Sequence, residues 1–120
     1  VRGSLNFGMC LFCDIINKKL DSDFIFEDNE VIVISDIHPK APVHMLIIPK
    51  KHIESVKEIN EVEKNLLFKI IKTAKDIAET KQLKGFKLIF NVGKEGGQIV
   101  DHLHLHLLGG WDIKSQHIEV

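Results

Sequence analysis

The stretch "GGQIVDHLHLHLLGG" (96–110) sets three histidines, His102, His104 and His106, in strict alternation with Leu103 and Leu105. Alternation with a period of two is the signature of a strand, whose successive side chains point to opposite faces. A strand over 100–108 sends Leu103, Leu105 and Leu107 into a core and puts all three imidazoles on the other face. Neighbouring histidines there stand about 6.5–7 Å apart, twice the strand rise. One small anion could touch two of them, or one metal ion could sit between them.

The rest of the chain supplies partners for such a strand. "FIFE" (24–27) and "VIVIS" (31–35) are aromatic and β-branched runs separated by Asp28, Asn29 and Glu30, which predicts a hairpin. "HMLIIP" (44–49) predicts a third strand, ended by Pro49, which cannot donate to a ladder. The two prolines of "HPKAP" (38–42) make that stretch a loop. "FKLIFNV" (86–92) is a fourth strand and "GKEGG" (93–97) a flexible loop. Asn60 with Glu63 is a helix-start signal. Leu66, Leu67, Ile70, Ile71, Ala74, Ile77 and Ala78 then recur at helical spacing, which predicts a helix over 61–80 with one buried face. A short helix is expected around 13–18. The sum is an α+β domain: a five-stranded, mainly antiparallel sheet with one long helix and a short N-terminal helix.

A length of 120 residues fits one domain, and 44% apolar residues suffice for an ordinary core. Residues 1–8 read as a leader before a start at Met9, with the domain over 9–120. A net charge of -1 argues against a general nucleic-acid or anionic-membrane binder. No apolar run approaches the roughly 18 residues of a membrane span. Cys10 and Cys13 are the only cysteines, in the spacing C-x-x-C, which fits a reducing, cytoplasmic setting better than a disulfide scaffold.

Three histidines in five residues admit a solvated face, a metal site of the three alone, or nucleophilic and acid–base chemistry. Neutral imidazole is a good nucleophile near pH 7. Two neighbours favour the last reading. The loop "GKEGGQ" has glycines that let backbone N–H groups approach an oxyanion. Asn91, just before it, can donate a side-chain amide. Together they suggest phosphate. The C-x-x-C pair is open between zinc ligation, a redox pair and chance. The redox reading lacks a thioredoxin-like context, and four zinc ligands cannot be assembled from spacing alone.

"HLHLHLL" (102–108), "DIHPKAPVHMLIIPKKHI" (36–53) and "NVGKEGGQ" (91–98) resemble, in order, the motifs of the histidine triad (HIT) superfamily, and the chain looks closest to its nucleoside phosphoramidase branch. The resemblance covers roughly residues 10–110. It implies that His104 is the nucleophile, attacking the α-phosphorus of a nucleotide to form a nucleotidyl-histidine that water hydrolyses. It implies that His106 hydrogen-bonds the phosphate and that His44 sits behind His104 and orients it. Asn91 and the backbone around Gly97, Gln98 and Ile99 would hold phosphate oxygens. Asp36 would bind the ribose hydroxyls, and Leu11, Phe12, Ile15 and Ile37 would line the base pocket. Bacterial-type relatives imply structural zinc on Cys10, Cys13, His52 and His102, with no metal in the chemical step. Members of this branch pair into two-fold homodimers, and Phe86, Leu88 and Phe90, more than one helix can bury, mark the long helix and "FKLIFNV" as the expected interface, with Trp111 reaching the partner's site.

The implied activity is hydrolysis or transfer at the α-phosphate of purine nucleoside 5′-phosphoramidates or related conjugates. The alternatives are dinucleoside polyphosphate hydrolysis, or a non-catalytic nucleotide- or protein-binding module. One position departs from the pattern. Where the family usually has Ser or Thr after Gly97 and Gln98, this chain has Ile99.

Overall fold

Two apolar clusters lie on opposite faces of one antiparallel sheet, and the alternation of side chains along its strands builds both. The computed structural model describes residues 10–114. The proposed leader, Met9 and the tail from 115 lie outside them. The strands are β1 (Phe24–Glu27), β2 (Val31–Ser35), β3 (Val43–Pro49), β4 (Phe86–Ile89) and β5 (Leu105–Gly109), in the order β1-β2-β3-β5-β4 with every neighbour antiparallel. The helices are α1 (Leu11–Ile16) and α2 (Lys64–Thr80).

β2 carries no polar residue before Ser35 because both of its faces are covered. Val31 and Val33 join Met45, Ile47, Leu103, Leu105 and Leu107 under Ile70, Ala74 and Ala78 of α2. Ile32 and Ile34 join Leu46 and Ile48 under Phe12 and Ile15 of α1. Each helix therefore closes one face. The pairing of Leu46 with His106, and of His44 with Leu108, sets these histidines on the face that α1 covers.

The long helix begins as expected. Asn60 and Glu63 form a reciprocal capping box, with the Asn60 N–H donating to Glu63 Oε1 over 2.8 Å. The first turn, Glu61–Glu63, is 3-10 rather than α. The buried stripe differs at two places. Thr73 is buried, its hydroxyl donating to the Lys69 carbonyl over 2.7 Å, whereas Ile71 is exposed. The short helix starts two residues earlier than expected because Cys10 caps it: its sulfur accepts from the Cys13 N–H at 3.3 Å. β4 ends at Ile89 rather than at Val92, and a 3-10 turn, Lys94–Gly96, lies in the glycine loop. Among the described residues no helix is long and apolar enough to cross a membrane.

Candidate functional site

The histidine strand is shorter than its alternation predicts. β5 begins at Leu105, and 100–104 lie outside the ladder. The reason is Pro49 opposite, which has no N–H to offer. Its carbonyl is taken instead by a side chain, His102 Nε2 at 2.8 Å, while the Leu103 N–H turns to the Ile53 carbonyl at 2.6 Å. The face assignment nevertheless stands: Leu103, Leu105 and Leu107 go to the α2 side. The three histidines part company. His102 is fully buried, His104 is 8% exposed and His106 is half-buried.

His102 joins a cluster of four residues assembled from three parts of the chain. Cys10 and Cys13 come from the start of α1 and His52 from the segment after β3. Cys10 Sγ lies 3.7 Å from His52 Nδ1 and 3.2 Å from His102 Nδ1. Cys13 Sγ lies 3.3 Å and 3.5 Å from the same two atoms, and the two Nδ1 atoms are 3.1 Å apart. Tetrahedral zinc, with Zn–S about 2.3 Å and Zn–N about 2.0–2.1 Å, places sulfur and nitrogen about 3.5 Å apart and two nitrogens about 3.3 Å apart. The four residues fit that pattern. The proton inventory agrees. A carbonyl only accepts, so His102 Nε2 carries the hydrogen and Nδ1, facing the sulfurs, is bare. Burial holds the His102 imidazole down at about 4, so it is neutral at pH 7. Burial also pushes the Cys10 thiol up to about 11, a cost that a bound cation would offset.

A second group, Asp36, His44 and His106, also brings three donor atoms within 4.8 Å of one another. Its protons argue for a hydrogen-bonded relay rather than a metal site. The backbone N–H of Lys40, in the proline loop, donates to His44 Nδ1 at 3.0 Å. Burial keeps His44 below its ordinary range and therefore neutral near pH 7, against the pull of Asp36. Its one hydrogen is then on Nε2, where it donates to His106 Nδ1 at 2.9 Å with Asp36 Oδ2 at 3.4 Å. A metal there would have to displace that proton. His106 is pushed down to about 4 by burial and by the neighbouring His104 and His44, so it is neutral too. With Nδ1 accepting, its Nε2 carries the hydrogen.

His104 has the opposite arrangement. Its Nδ1 donates to the His102 carbonyl at 2.7 Å, which leaves Nε2 bare. Burial lowers it as well, opposed by that carbonyl and by Asp36. The His104 and His106 rings approach to 5.0 Å between centroids. A lone pair and an N–H donor thus stand side by side on neighbouring imidazoles.

Other expected site residues fall differently. His44 contacts His106, not His104; what lies against His104 is the Phe12 ring, 5.0 Å away and edge-on. Phe12 and Ile15 are buried in the α1 cluster, whereas Leu11 is half-exposed and Ile37 is 85% exposed. Gln98 is buried, and its side chain is engaged by the protein: Oε1 accepts from the Gly93 N–H at 2.9 Å, and Nε2 donates to the carbonyls of Glu54 at 2.6 Å and Val100 at 2.9 Å. It builds the glycine loop rather than reaching out of it. Asn91 donates to the Gly96 carbonyl at 2.9 Å, which leaves its second N–H. Gly97 has φ +89°, a left-handed conformation that favours glycine, and lies in contact with the Asn91 amide. One oxygen of Asp36 accepts the His38 N–H at 2.8 Å, and the other faces His44. Sequence reasoning does not reveal the Lys40 N–H or the Pro49 carbonyl, because backbone groups leave no mark in the sequence.

The family described as "Scavenger mRNA decapping enzyme C-term binding" matches residues 9–118. The chain belongs to the histidine triad superfamily. Protein HitA of Neisseria gonorrhoeae is 41% identical over 101 residues, which are 83% of this chain and 94% of that one. Two solved structures superpose closely. A HIT family hydrolase from Clostridium thermocellum is 49% identical with a TM-score of 0.86, covering 94% of this chain and 100% of that one. A HIT family hydrolase from Legionella pneumophila is 44% identical with a TM-score of 0.84, covering 87% and 95% respectively. The histidine triad fold and its five-stranded antiparallel sheet are thus common to this chain and to them.

Proposed function

We propose that this histidine triad protein is a hydrolase or transferase acting at the α-phosphate of purine nucleoside 5′-phosphoramidates or related nucleotide conjugates. The observation that carries this reading is a pair of hydrogen bonds on adjacent rings: His104 Nδ1 is held by the His102 carbonyl and His106 Nδ1 by His44 Nε2, an arrangement that leaves His104 Nε2 bare and puts the hydrogen of His106 on Nε2. His104 Nε2 supplies the lone pair that attacks phosphorus. As the bond from His104 Nε2 to phosphorus forms, the P–N bond to the leaving group breaks with its electron pair on nitrogen, which takes a proton from solvent water and departs as the free amine. The nucleotide is left on His104, and water then displaces it as a nucleoside monophosphate. His106 Nε2–H donates to a phosphoryl oxygen as charge builds there. Asn91 offers its second N–H, and the loop around Gly97 and Ile99 its backbone, to the same oxygens. Asp36, an acceptor-only carboxylate, suits the ribose diol, and the exposed Leu11 and Ile37 suit the base. The two hydrolases among the relatives support an activity of this class.

Cys10, Cys13, His52 and His102 would hold a zinc ion, which supplies a cross-link between the ends of the domain and no part of the reaction. Two free cysteines committed to such a site suit a reducing cytoplasm. A two-fold homodimer through β4 and α2 is supported by exposed apolar groups on both: Phe86 and Leu88 on the edge strand, Phe68 and Ile71 on the helix.

The test is AMP release from adenosine 5′-phosphoramidate and from diadenosine polyphosphates, with His104→Asn as the control. Wild type should hydrolyse the phosphoramidate. The variant, which keeps polarity and approximate size but cannot attack phosphorus, should bind AMP and release none. Turnover above a few per cent in the variant would remove His104 from the nucleophile's role. Dinucleotide hydrolysis without phosphoramidate hydrolysis would favour the polyphosphate reading. Nucleotide binding without any turnover by wild type would favour a binding module.

A further inference from the structure

Phe12 lies between Cys10 and Cys13 on α1, and its ring touches both the cluster and the proposed nucleophile. It meets His102 edge-on at 6.0 Å and His104 edge-on at 5.0 Å, with interplanar angles of 79° and 78°. His102 in turn gives its Nδ1 to the Cys/His cluster and its backbone carbonyl to His104 Nδ1. The two paths start at the same four residues and end on the same imidazole.

We propose that Phe12 is a positioning residue that holds the ring of His104, and that the Cys10/Cys13/His52/His102 cluster governs turnover by clamping the helix that carries Phe12. A neutral imidazole exchanges its hydrogen between two nitrogens, and the hydrogen bond made by one nitrogen decides which form is present. The His102 carbonyl selects the Nδ1–H form of His104 only while the ring stays in register with it. Phe12, T-shaped against that ring with centroids 5.0 Å apart, restricts its turning. Without it, the Nε2–H form gains population, and that form has no lone pair where it is needed. The cluster matters because α1 has only six residues: beside the packing of Phe12 and Ile15 on Ile32, Ile34, Leu46 and Ile48, Cys10 and Cys13 tie its start to His52 and His102.

The kinetic arm of this inference rests on the proposed α-phosphate chemistry, whereas its spectroscopic arm does not. In 15N-histidine-labelled protein at pH 7.5, wild-type His104 should show one tautomer, with Nδ1 protonated. Phe12→Leu should show both tautomers in exchange, and kcat on adenosine 5′-phosphoramidate should fall about 3- to 10-fold with KM little changed. Cys10→Ser keeps a good helix cap and removes one sulfur. It should give the same mixed tautomers and a similar fall in kcat, and the double variant should be no worse than the poorer single one. Ile34→Val, in the same apolar cluster, controls for lost stability: it should lower Tm and leave the His104 spectrum and kcat as they are. A single unchanged tautomer in Phe12→Leu overturns the proposal. So does a rise in KM at constant kcat, which would make Phe12 a wall of the base pocket. Strictly additive losses in the double variant would separate the cluster from the nucleophile. If wild type hydrolyses no phosphoramidate, the functional reading fails while the tautomer result still judges Phe12.

Discussion

His44 donates its Nε2–H to His106 Nδ1 over 2.9 Å, and it does so because the Lys40 backbone N–H occupies its other nitrogen. This three-member chain runs from a proline-bounded loop into the centre of the sheet. It fixes the hydrogen of His106 on Nε2, facing away from His44. The upstream histidine therefore contacts His106, the proposed phosphate donor, and through it would act on the phosphate side of the site.

A first prediction follows from that direction. His44→Phe keeps the ring volume and removes the donor, so His106 can place its hydrogen on either nitrogen. A donor made useful in the transition state contributes about 1–3 kcal/mol when charge is developing on its acceptor. The kcat/KM for a phosphoramidate should fall about 10- to 100-fold, because phosphate binding and transition-state stabilisation both use His106. The nucleotidyl adduct on His104 should still form, and rapid-quench mass spectrometry would detect it. Loss of the adduct with unchanged AMP affinity would instead place His44 behind His104.

The second prediction concerns metal. The cluster joins Cys10 to His102 across most of the chain, and its donor spacings match a tetrahedral ion. One zinc per chain is expected by elemental analysis of tag-free protein. Zinc-dependent domains without a core gain about 10 kcal/mol from the ion. This chain has two apolar clusters of its own, so chelation should lower Tm by several degrees without unfolding it. Metal-free protein with intact thiols and an unchanged Tm would remove the site.

A third prediction concerns acid. Burial and two neighbouring imidazoles hold His106 at about 4 in the folded chain, whereas an unfolded histidine titrates near its ordinary value of 6.5. Between those values the unfolded chain binds the extra proton, so folding stability must fall as pH drops from about 6.5 to about 4. Asp28, paired with Lys69 at 2.6 Å and accepting two backbone N–H groups, is held down at about 2. It adds a further loss as pH falls from its ordinary value of 3.8 toward 2. Tm should therefore decline continuously below pH 6.5, and His106→Asn should make the part between pH 6.5 and 4 shallower, leaving the share of the equally depressed His102 and of His44 and His104. A Tm that is level or rising from pH 7 to pH 4.5 would contradict the burial argument.

The fold is legible wherever a residue's type reports its surroundings. β2 and β3 follow from apolar runs bounded by polar turns, α2 from its spacing, and its start from Asn60 and Glu63. The misses have one common cause, which is that local pattern competes with tertiary pairing. The alternation through His102 and His104 promises a strand, but Pro49 opposite refuses the ladder, so only 105–109 pair. Ile71 fits the helical stripe, but it is exposed and takes no part in the cluster between α2 and the sheet, where Thr73 is buried instead. The Gln98 side chain braces its own loop, because Glu54 and Val100 present carbonyls that the sequence does not advertise, and the expectation for that loop concerned its backbone. The gathering of Cys10, Cys13, His52 and His102 is invisible to spacing, since contacts 39 to 92 residues apart have no periodicity. Only the family resemblance suggests it.

The last prediction concerns Ile99. Its side chain is 93% exposed between the buried Gln98 and the half-buried Val100, so it is not there for the core. Changing it should cost little stability. Its backbone N–H can still serve a phosphate, but the position lacks the hydroxyl that the family's usual Ser or Thr supplies. A side-chain hydrogen bond made only in the transition state is worth about 1–3 kcal/mol, or about 5- to 150-fold in rate. The grip on phosphate should survive, because His106, Asn91 and the loop backbone remain. Departure of an amine should suffer most, since an amine leaves poorly unless it is protonated. This chain should therefore be a slow phosphoramidase, less impaired on substrates with good leaving groups. Ile99→Ser should raise kcat/KM on adenosine 5′-phosphoramidate more than on an AMP ester of an acidic phenol, with Tm within a degree or two of wild type. An unchanged ratio of the two kcat/KM values would show that the side chain at 99 does not touch the leaving group.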